Sequence, residues 1–237
     1  MARARPTSTG DAPGATGRDR PVPDRGTWWN RLRYTLYAPV YDLAVARVPF
    51  FERARRRSLA LAALRSGERV LLVAAGTGLD LVHLPDGLEV IATDITPAMV
   101  SRLAARAQRL RAAGRDLRVQ AEVMDAAALT LPDASVDCVV LHLALAVVPD
   151  PLAVLRDAVR VLRPGGRLAI FDKFLPHGAA PSPGRRAAAA VARVLATDLN
   201  VQLGPLLGAA GLRAVARKPV GLGGTFVVVR AERRPVG

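Results

Sequence analysis

Val70-Leu71-Leu72-Val73-Ala74-Ala75-Gly76-Thr77-Gly78-Leu79 decides the fold. The apolar run reads as a buried strand, the small residues after it as a tight turn, and Leu79 onward as the start of a helix. Such a turn lets backbone approach a ligand closely, and a helix start favours negative charge. The plainer reading is a strand–helix connection that binds nothing.

The next apolar run, Glu89-Val90-Ile91-Ala92-Thr93, ends in Asp94, about twenty residues beyond Ala74. A carboxylate at the tip of a second strand is placed to accept hydrogen bonds from the ribose of an adenosine cofactor. Its plain alternative is a helix N-cap before Pro97, a role for which Thr96 is the better candidate. Met124-Asp125-Ala126 follows a third strand, where an acceptor would suit an adenine amino group; a loop aspartate is the rival reading. From Glu68 on, the pattern predicts strands near 69–74, 88–93, 117–121, 136–143, 167–173, 213–219 and 225–231. Helices are predicted near 79–84, 97–113, 151–162 and, broken, 185–210. Repeated βα units with apolar strands specify an α/β, Rossmann-like architecture: a mostly parallel seven-stranded sheet with helices on both faces.

Composition narrows the classes. No apolar run reaches the length of a membrane-spanning helix. The one cysteine, Cys138, leaves no internal disulfide, which suits a reducing cytoplasm. His83, His142 and His177 lack ligand spacing, and no metal is expected. The net charge of +14 suits an anionic partner such as nucleic acid or a lipid surface. Lysine occurs only at Lys173 and Lys218, so a coding bias toward arginine explains part of that charge equally well. Residues 1–26 are rich in Pro, Gly, Arg, Ser and Thr, and read as a disordered basic tail. Residues 27–66 read as a helical segment, interrupted at Pro39 and Pro49. This segment holds both tryptophans, all three tyrosines, Phe50 and Phe51. Such a concentration suits either helices packing aromatics on the sheet or a lid over a substrate pocket that touches a membrane interface. Residues 67–237 form the main domain in this reading.

The chain from about Val70 to Phe174, with VLLVAAGTG, VIATDITPAMV, VMDAAALTLPDASVD, VVLHLALAVVPDP and VLRPGGRLAIFD in this order, resembles class I S-adenosylmethionine-dependent methyltransferases. The resemblance implies the cofactor S-adenosylmethionine. It implies a methionine end against Val73, Ala74, Ala75, Gly76, Thr77 and Gly78. It implies a ribose at Asp94, an adenine between Ile95, Asp125 and Ala126, and a reacting centre near Leu141 and His142. The chain departs from the family twice: Leu72 stands where an acidic residue is usual, and Ala74 where glycine is. Both departures keep a non-catalytic member of the fold as an alternative. A dinucleotide-binding G-x-G-x-x-G is excluded, since Leu81 would stand at its third glycine.

Methyl transfer is an in-line displacement, so alignment and exclusion of water do most of the work. A hydroxyl or carbon acceptor also needs a base, and His142, Asp172 and Tyr41 are the candidates. A hydrogen-bonded strand-end histidine and a loop or cap aspartate are their plain readings. Leu141-His142-Leu143-Ala144 lacks the Asn/Asp-Pro-Pro-aromatic loop of nucleic-acid amino methyltransferases, so a small-molecule or lipid-like acceptor is expected. An RNA-directed enzyme is the alternative. Tyr34 to Asp42 resembles the entry helix of bacterial ubiquinone/menaquinone and phosphatidylethanolamine N-methyltransferases; the stretches at 171–176, 196–200 and 221–226 look most like the second group. An amine head group follows from that resemblance. Tyr34, Tyr37 and Tyr41 would face a methylated ammonium, and Arg53, Arg55, Arg56 and Arg57 a lipid phosphate at an anionic membrane. A solvated helix face is the other reading of those arginines.

Overall fold

The apolar runs after Glu68 form one seven-stranded sheet in this computed structural model, which describes residues 48–175, 201–221 and 225–233. The strands are β1 (Arg69–Val73), β2 (Leu88–Asp94), β3 (Leu117–Val123), β4 (Val136–His142), β5 (Leu162–Lys173), β6 (Leu212–Val220) and β7 (Phe226–Arg233). Their spatial order is β3-β2-β1-β4-β5-β7-β6. All pairs from β3 to β5 are parallel, and β7 runs against both its neighbours. The helices are α1 (Pro49–Ala62), α2 (Pro97–Ala112), α3 (Pro151–Val161) and α4 (Leu203–Ala209). Proline opens the first three, where its missing N–H costs nothing. α3 is also capped by Asp150, whose carboxylate accepts from the N–H groups of Leu152 and Ala153.

A buried parallel strand sends alternate side chains to opposite faces. Leu71 and Val73 of β1 enter one core with Leu141, Leu155 of α3 and Leu207 of α4. Val70 and Leu72 enter the other with Val140, Leu59 of α1 and Leu103 of α2. Leu72 is thus a core residue at 1% exposure, contributing on the order of 2 kcal/mol. Phe50 and Phe51 of α1 pack edge-on against Phe226, at centroid distances of 5.3 and 5.7 Å, and beside Phe171. Those two aromatics pack on the sheet. The rest of the aromatic segment, with Tyr34, Tyr37 and Tyr41, lies outside the described residues, as does the tail at 1–26.

Two expectations change. The helix expected at 79–84 shrinks to a single 3-10 turn at Leu81–His83. Leu84 precedes Pro85, which pushes it to an extended conformation and stops the helix. The strand expected at 167–173 begins at Leu162, directly where α3 ends. Of the broken helix at 185–210, α4 is the described part, and residues up to 200 lie outside the description. No helix among the described residues is long and apolar enough to cross a membrane.

Candidate active site

The order of strands reverses at β1, which lies between β2 and β4. Connections leave such a point toward opposite faces, opening a crevice beyond the carboxyl ends of the strands. A cavity of about 270 Å³ lies there. Its floor is the turn after β1. Ala74, Gly76 and Gly78 all have positive φ, at 51°, 56° and 79°. The turn therefore presents backbone rather than side chains. A Cβ on Gly78 would stand 3.0 Å from Leu103 and 3.1 Å from Leu81, so this position admits only glycine without displacing the core. The turn is pinned by Thr93, whose carbonyl accepts from Ala75 N–H at 2.8 Å, and by Arg106, which donates to the Thr77 carbonyl at 3.0 Å.

Asp94 sits at the β2 tip. One carboxylate oxygen accepts from Gly76 N–H at 3.0 Å, the other from Thr96 N–H at 2.9 Å. Thr96 does occupy the N-cap position of α2, but its hydroxyl makes no capping bond. Asp94 therefore organises the turn, with lone pairs left over on both oxygens. Burial raises its pKa above the ordinary carboxylate value, against the opposing effect of the backbone N–H groups of Thr96 and Gly76. Beside it, Ile95, Met99, Met124 and Ala126 make an apolar slot, with Asp125 at the edge.

On the β4 side the cavity wall is a chain of buried polar groups. Asp80 accepts from Arg55 of α1 at 2.7 Å, and its other oxygen lies 2.7 Å from His142 Nδ1. His142 Nε2 lies 2.8 Å from the Ser58 hydroxyl. An ionised carboxylate only accepts, so Nδ1 carries a proton and Nε2 pairs with Ser58; this tautomer is assigned from the network. Burial alone would raise the Asp80 pKa, but the Arg55 guanidinium and the His142 ring outweigh it. They hold Asp80 well below the usual carboxylate range. Leu143, the next residue, has φ 57° and turns the chain off the strand into the cavity wall, followed by Val147, Val148 and Val154. A non-glycine residue there stores backbone strain beside the site.

The structure brings Ala74, Ala75, Gly76, Thr77, Asp94, Ile95, Asp125, Ala126 and His142 to one cavity. Val73 and Leu141 do not line it; both side chains enter the first core. Gly78 lies behind the turn, against Leu103. Asp172 is fully buried away from the cavity, accepting from Ala146 N–H at 3.0 Å and from Lys173 N–H at 2.8 Å. It ties down the loop after β4, and burial raises its pKa. Tyr41 lies outside the described residues. Arg55 does not join Arg53, Arg56 and Arg57 on the exposed face of α1, as the lipid-phosphate reading required, but turns inward to Asp80. Sequence reasoning missed Asp80, Ser58 and this role of Arg55. A signal existed: Arg55 and Ser58 stand three residues apart, on the helix face that also carries Leu59 and Ala62.

Residues 71–170 match a methyltransferase domain family model. The chain is 29% identical over 195 residues to a phosphatidylethanolamine N-methyltransferase of Cereibacter sphaeroides, spanning 82% of this chain and 93% of that protein. It is 35% identical over 140 residues to a demethylmenaquinone methyltransferase of Thermus thermophilus, spanning 57% of this chain and 61% of the relative. A geranyl diphosphate C-methyltransferase of Streptomyces coelicolor shares the fold, with a TM-score of 0.65 at 15% identity, over 80% of this chain and 83% of that one. The cavity suits an adenosine-bearing sulfonium: backbone is exposed at the turn, an acidic side chain stands at the β2 tip, and an apolar slot lies beside it. When bound, S-adenosylmethionine supplies an electrophilic methyl group. The family match over residues 71–170 and the similarity to these methyltransferases support a class I S-adenosylmethionine-dependent methyltransferase domain here.

Proposed function

We propose that the chain methylates an amine on a lipid-like or small-molecule acceptor. One observation carries this reading: among the described residues, the imidazole that lines the cavity is engaged at both ring nitrogens. Asp80 is held ionised between Arg55 and His142, and Asp172 faces the protein interior. A carbon or hydroxyl acceptor needs a base poised to take its proton. A neutral amine attacks with its own lone pair and asks chiefly for alignment and dryness. Leu143, Val147, Val148 and Val154 give the cavity an apolar wall that excludes water. In this reading Asp94 accepts the ribose hydroxyls, and Ile95, Met99, Asp125 and Ala126 hold the adenine. The backbone of Ala74–Thr77 meets the methionine end, and His142 positions rather than accepts a proton. The likeness to a phosphatidylethanolamine N-methyltransferase, over most of both chains, supports an amine head group, and the cationic α1 face supports an anionic surface as its setting.

The test is product formation from labelled S-adenosylmethionine with three acceptors: phosphatidylethanolamine in mixed vesicles, a soluble ethanolamine derivative, and demethylmenaquinone. Methylated phosphatidylethanolamine is the expected product. Methylation of the quinone alone would replace the amine reading with a carbon acceptor, and direct attention to Tyr41 as its base.

A further inference from the structure

Lys173, at the carboxyl end of β5, is a desolvated cation that meets no hydrogen-bond acceptor. Its side chain is 15% exposed. Arg55 and Arg167, at 8% and 9%, each donate to a carboxylate, Arg55 to Asp80 at 2.7 Å and Arg167 to Glu68 at 2.6 Å. The Lys173 ammonium comes only to 4.0 Å from Asp172, beyond hydrogen-bond reach. Both Asp172 oxygens are already engaged, by the N–H groups of Ala146 and of Lys173 itself. Burial pushes the ammonium pKa down, against the opposing charge of Asp172. An ammonium so placed costs stability until an acceptor reaches it. The chain uses lysine at only two of its 34 basic positions, and the other, Lys218, is exposed.

The register of the sheet places this ammonium at the rim of the cavity. Lys173 pairs with Phe226 and Phe171 with Val228, so both face the aromatic cluster under α1. His142, which lines the cavity, pairs with Phe171. Lys173 therefore stands two residues past the level of His142, about 7 Å further toward the open end of the sheet. Asp172 holds the Ala146 N–H, and the next two residues, Val147 and Val148, belong to the apolar cavity wall. A cofactor seated over β1 and β2 leaves this side for the acceptor. We propose that Lys173 binds the anionic oxygen of a phosphate ester on the acceptor, and so selects amines carried on a phosphorylated head group. The inference rests on the amine reading above and narrows its substrate class. A compact ammonium is a point charge suited to phosphate, and the oxyanion supplies the hydrogen bonds that Asp172 does not. Arg55, the cation of the cavity wall, is already bound to Asp80.

The experiment is steady-state methylation with labelled S-adenosylmethionine and three amines: phosphatidylethanolamine in mixed vesicles, soluble phosphoethanolamine, and a phosphate-free long-chain amine in the same vesicles. The wild-type chain should show a KM roughly 10- to 100-fold lower for a phosphate-bearing amine than for the phosphate-free one, as a charged hydrogen bond implies. A low KM for the vesicle-borne ester identifies a phospholipid, and a low KM for the soluble one a free phosphate ester; either supports the subsite. In Lys173→Met the preference should disappear, and Lys173→Arg should restore part of it. Calorimetric binding of S-adenosylhomocysteine shows that each variant keeps its fold. Equal wild-type KM values for phosphate-bearing and phosphate-free amines would overturn the subsite and leave the amine reading intact. An equal rise for both classes in Lys173→Met would also overturn it, reducing Lys173 to a structural neighbour of Asp172. A wild type that methylates none of the three would overturn the amine reading itself, and the subsite with it. The wild-type acceptor series decides the matter even where Lys173→Met does not fold.

Discussion

The β2 and β4 sides of the cavity are built in different ways. On the β2 side, Asp94 bonds to Thr96 two residues away and to Gly76 eighteen residues away, all within one βαβ unit. On the β4 side, Arg55 reaches Asp80 across 25 residues, Asp80 reaches His142 across 62, and His142 reaches Ser58 across 84. The first side is a local device that a strand–turn–strand sequence builds wherever it folds. The second exists only once α1 has docked on the sheet. The local side is half-exposed and holds its carboxylate with neutral N–H donors. The assembled side is buried and holds its carboxylate with a full positive charge. Local construction leaves lone pairs free for a ligand, whereas assembled construction ties ligand binding to the stability of the fold.

Removing the assembled side should have the largest effect. Asp80→Ala leaves the Arg55 guanidinium and His142 Nδ1 buried without their carboxylate. Loss of one partner of a buried pair costs about 3–5 kcal/mol, and the melting temperature should fall by roughly 10 °C. Calorimetric melting checks this, and an unchanged transition would mean that the β4 side carries no fold stability.

The local side should behave in the opposite way. Asp94→Ala should cost about 100-fold in affinity for S-adenosylhomocysteine, about 2.7 kcal/mol, with a small change in melting. Its pH dependence sharpens the contrast. The Asp94 pKa is raised in the folded chain, and ribose hydroxyls donate to the ionised form. Affinity should therefore hold at neutral pH and decline as pH falls through that raised value; an Asp94→Asn variant should bind weakly with a flat profile. Asp80, held below the usual range, stays ionised throughout. A wild-type affinity that is flat to acid would remove Asp94 from the ribose.

The smallest effect concerns the turn between the two sides. Ala74 has φ 51°, a left-handed conformation that costs a non-glycine residue about 1–2 kcal/mol. Ala74→Gly relieves this strain, but the more flexible unfolded chain offsets much of the gain. A net stabilisation of about 0.5 kcal/mol is expected, with equal or slightly tighter cofactor binding. A loss of stability on thermal melting would show that the Ala74 methyl packs usefully against the first core.

Much of this was legible in the linear chain because the physics that carries it is local. Apolar runs separated by glycines gave seven strands near their expected places, and β1 and β4 read as buried because both faces are covered. Asp94 was legible because strand tips and turns keep a fixed spacing in a βα unit. The helix expected at 79–84 failed because Pro85 overrides the helical pattern, leaving Asp80 on a single turn aimed at the cavity wall. Asp172 could not be told from a site residue by spacing alone. Its position at the end of β5 is right for one, and only the fold of the loop after β4 over it makes it a structural anchor. Leu72 was legible as a departure but not as a consequence: its side chain belongs to the core shared with Leu59 and Leu103, on the far face of the strand from Val73.

The sequence by itself determined the order of elements, the mostly parallel sheet, the glycine-rich turn and the carboxylate at the tip of β2. Each follows from side-chain periodicity or backbone freedom within a few tens of residues. Tertiary structure alone decided that Arg55 turns inward while Arg53, Arg56 and Arg57 stay in solvent, that Asp80 is the carboxylate it meets, and that His142 is bound at both nitrogens. A charge's partner is set by which surfaces the fold brings together, and no spacing along the chain encodes the docking of α1 on the face of the sheet along β5 and β7.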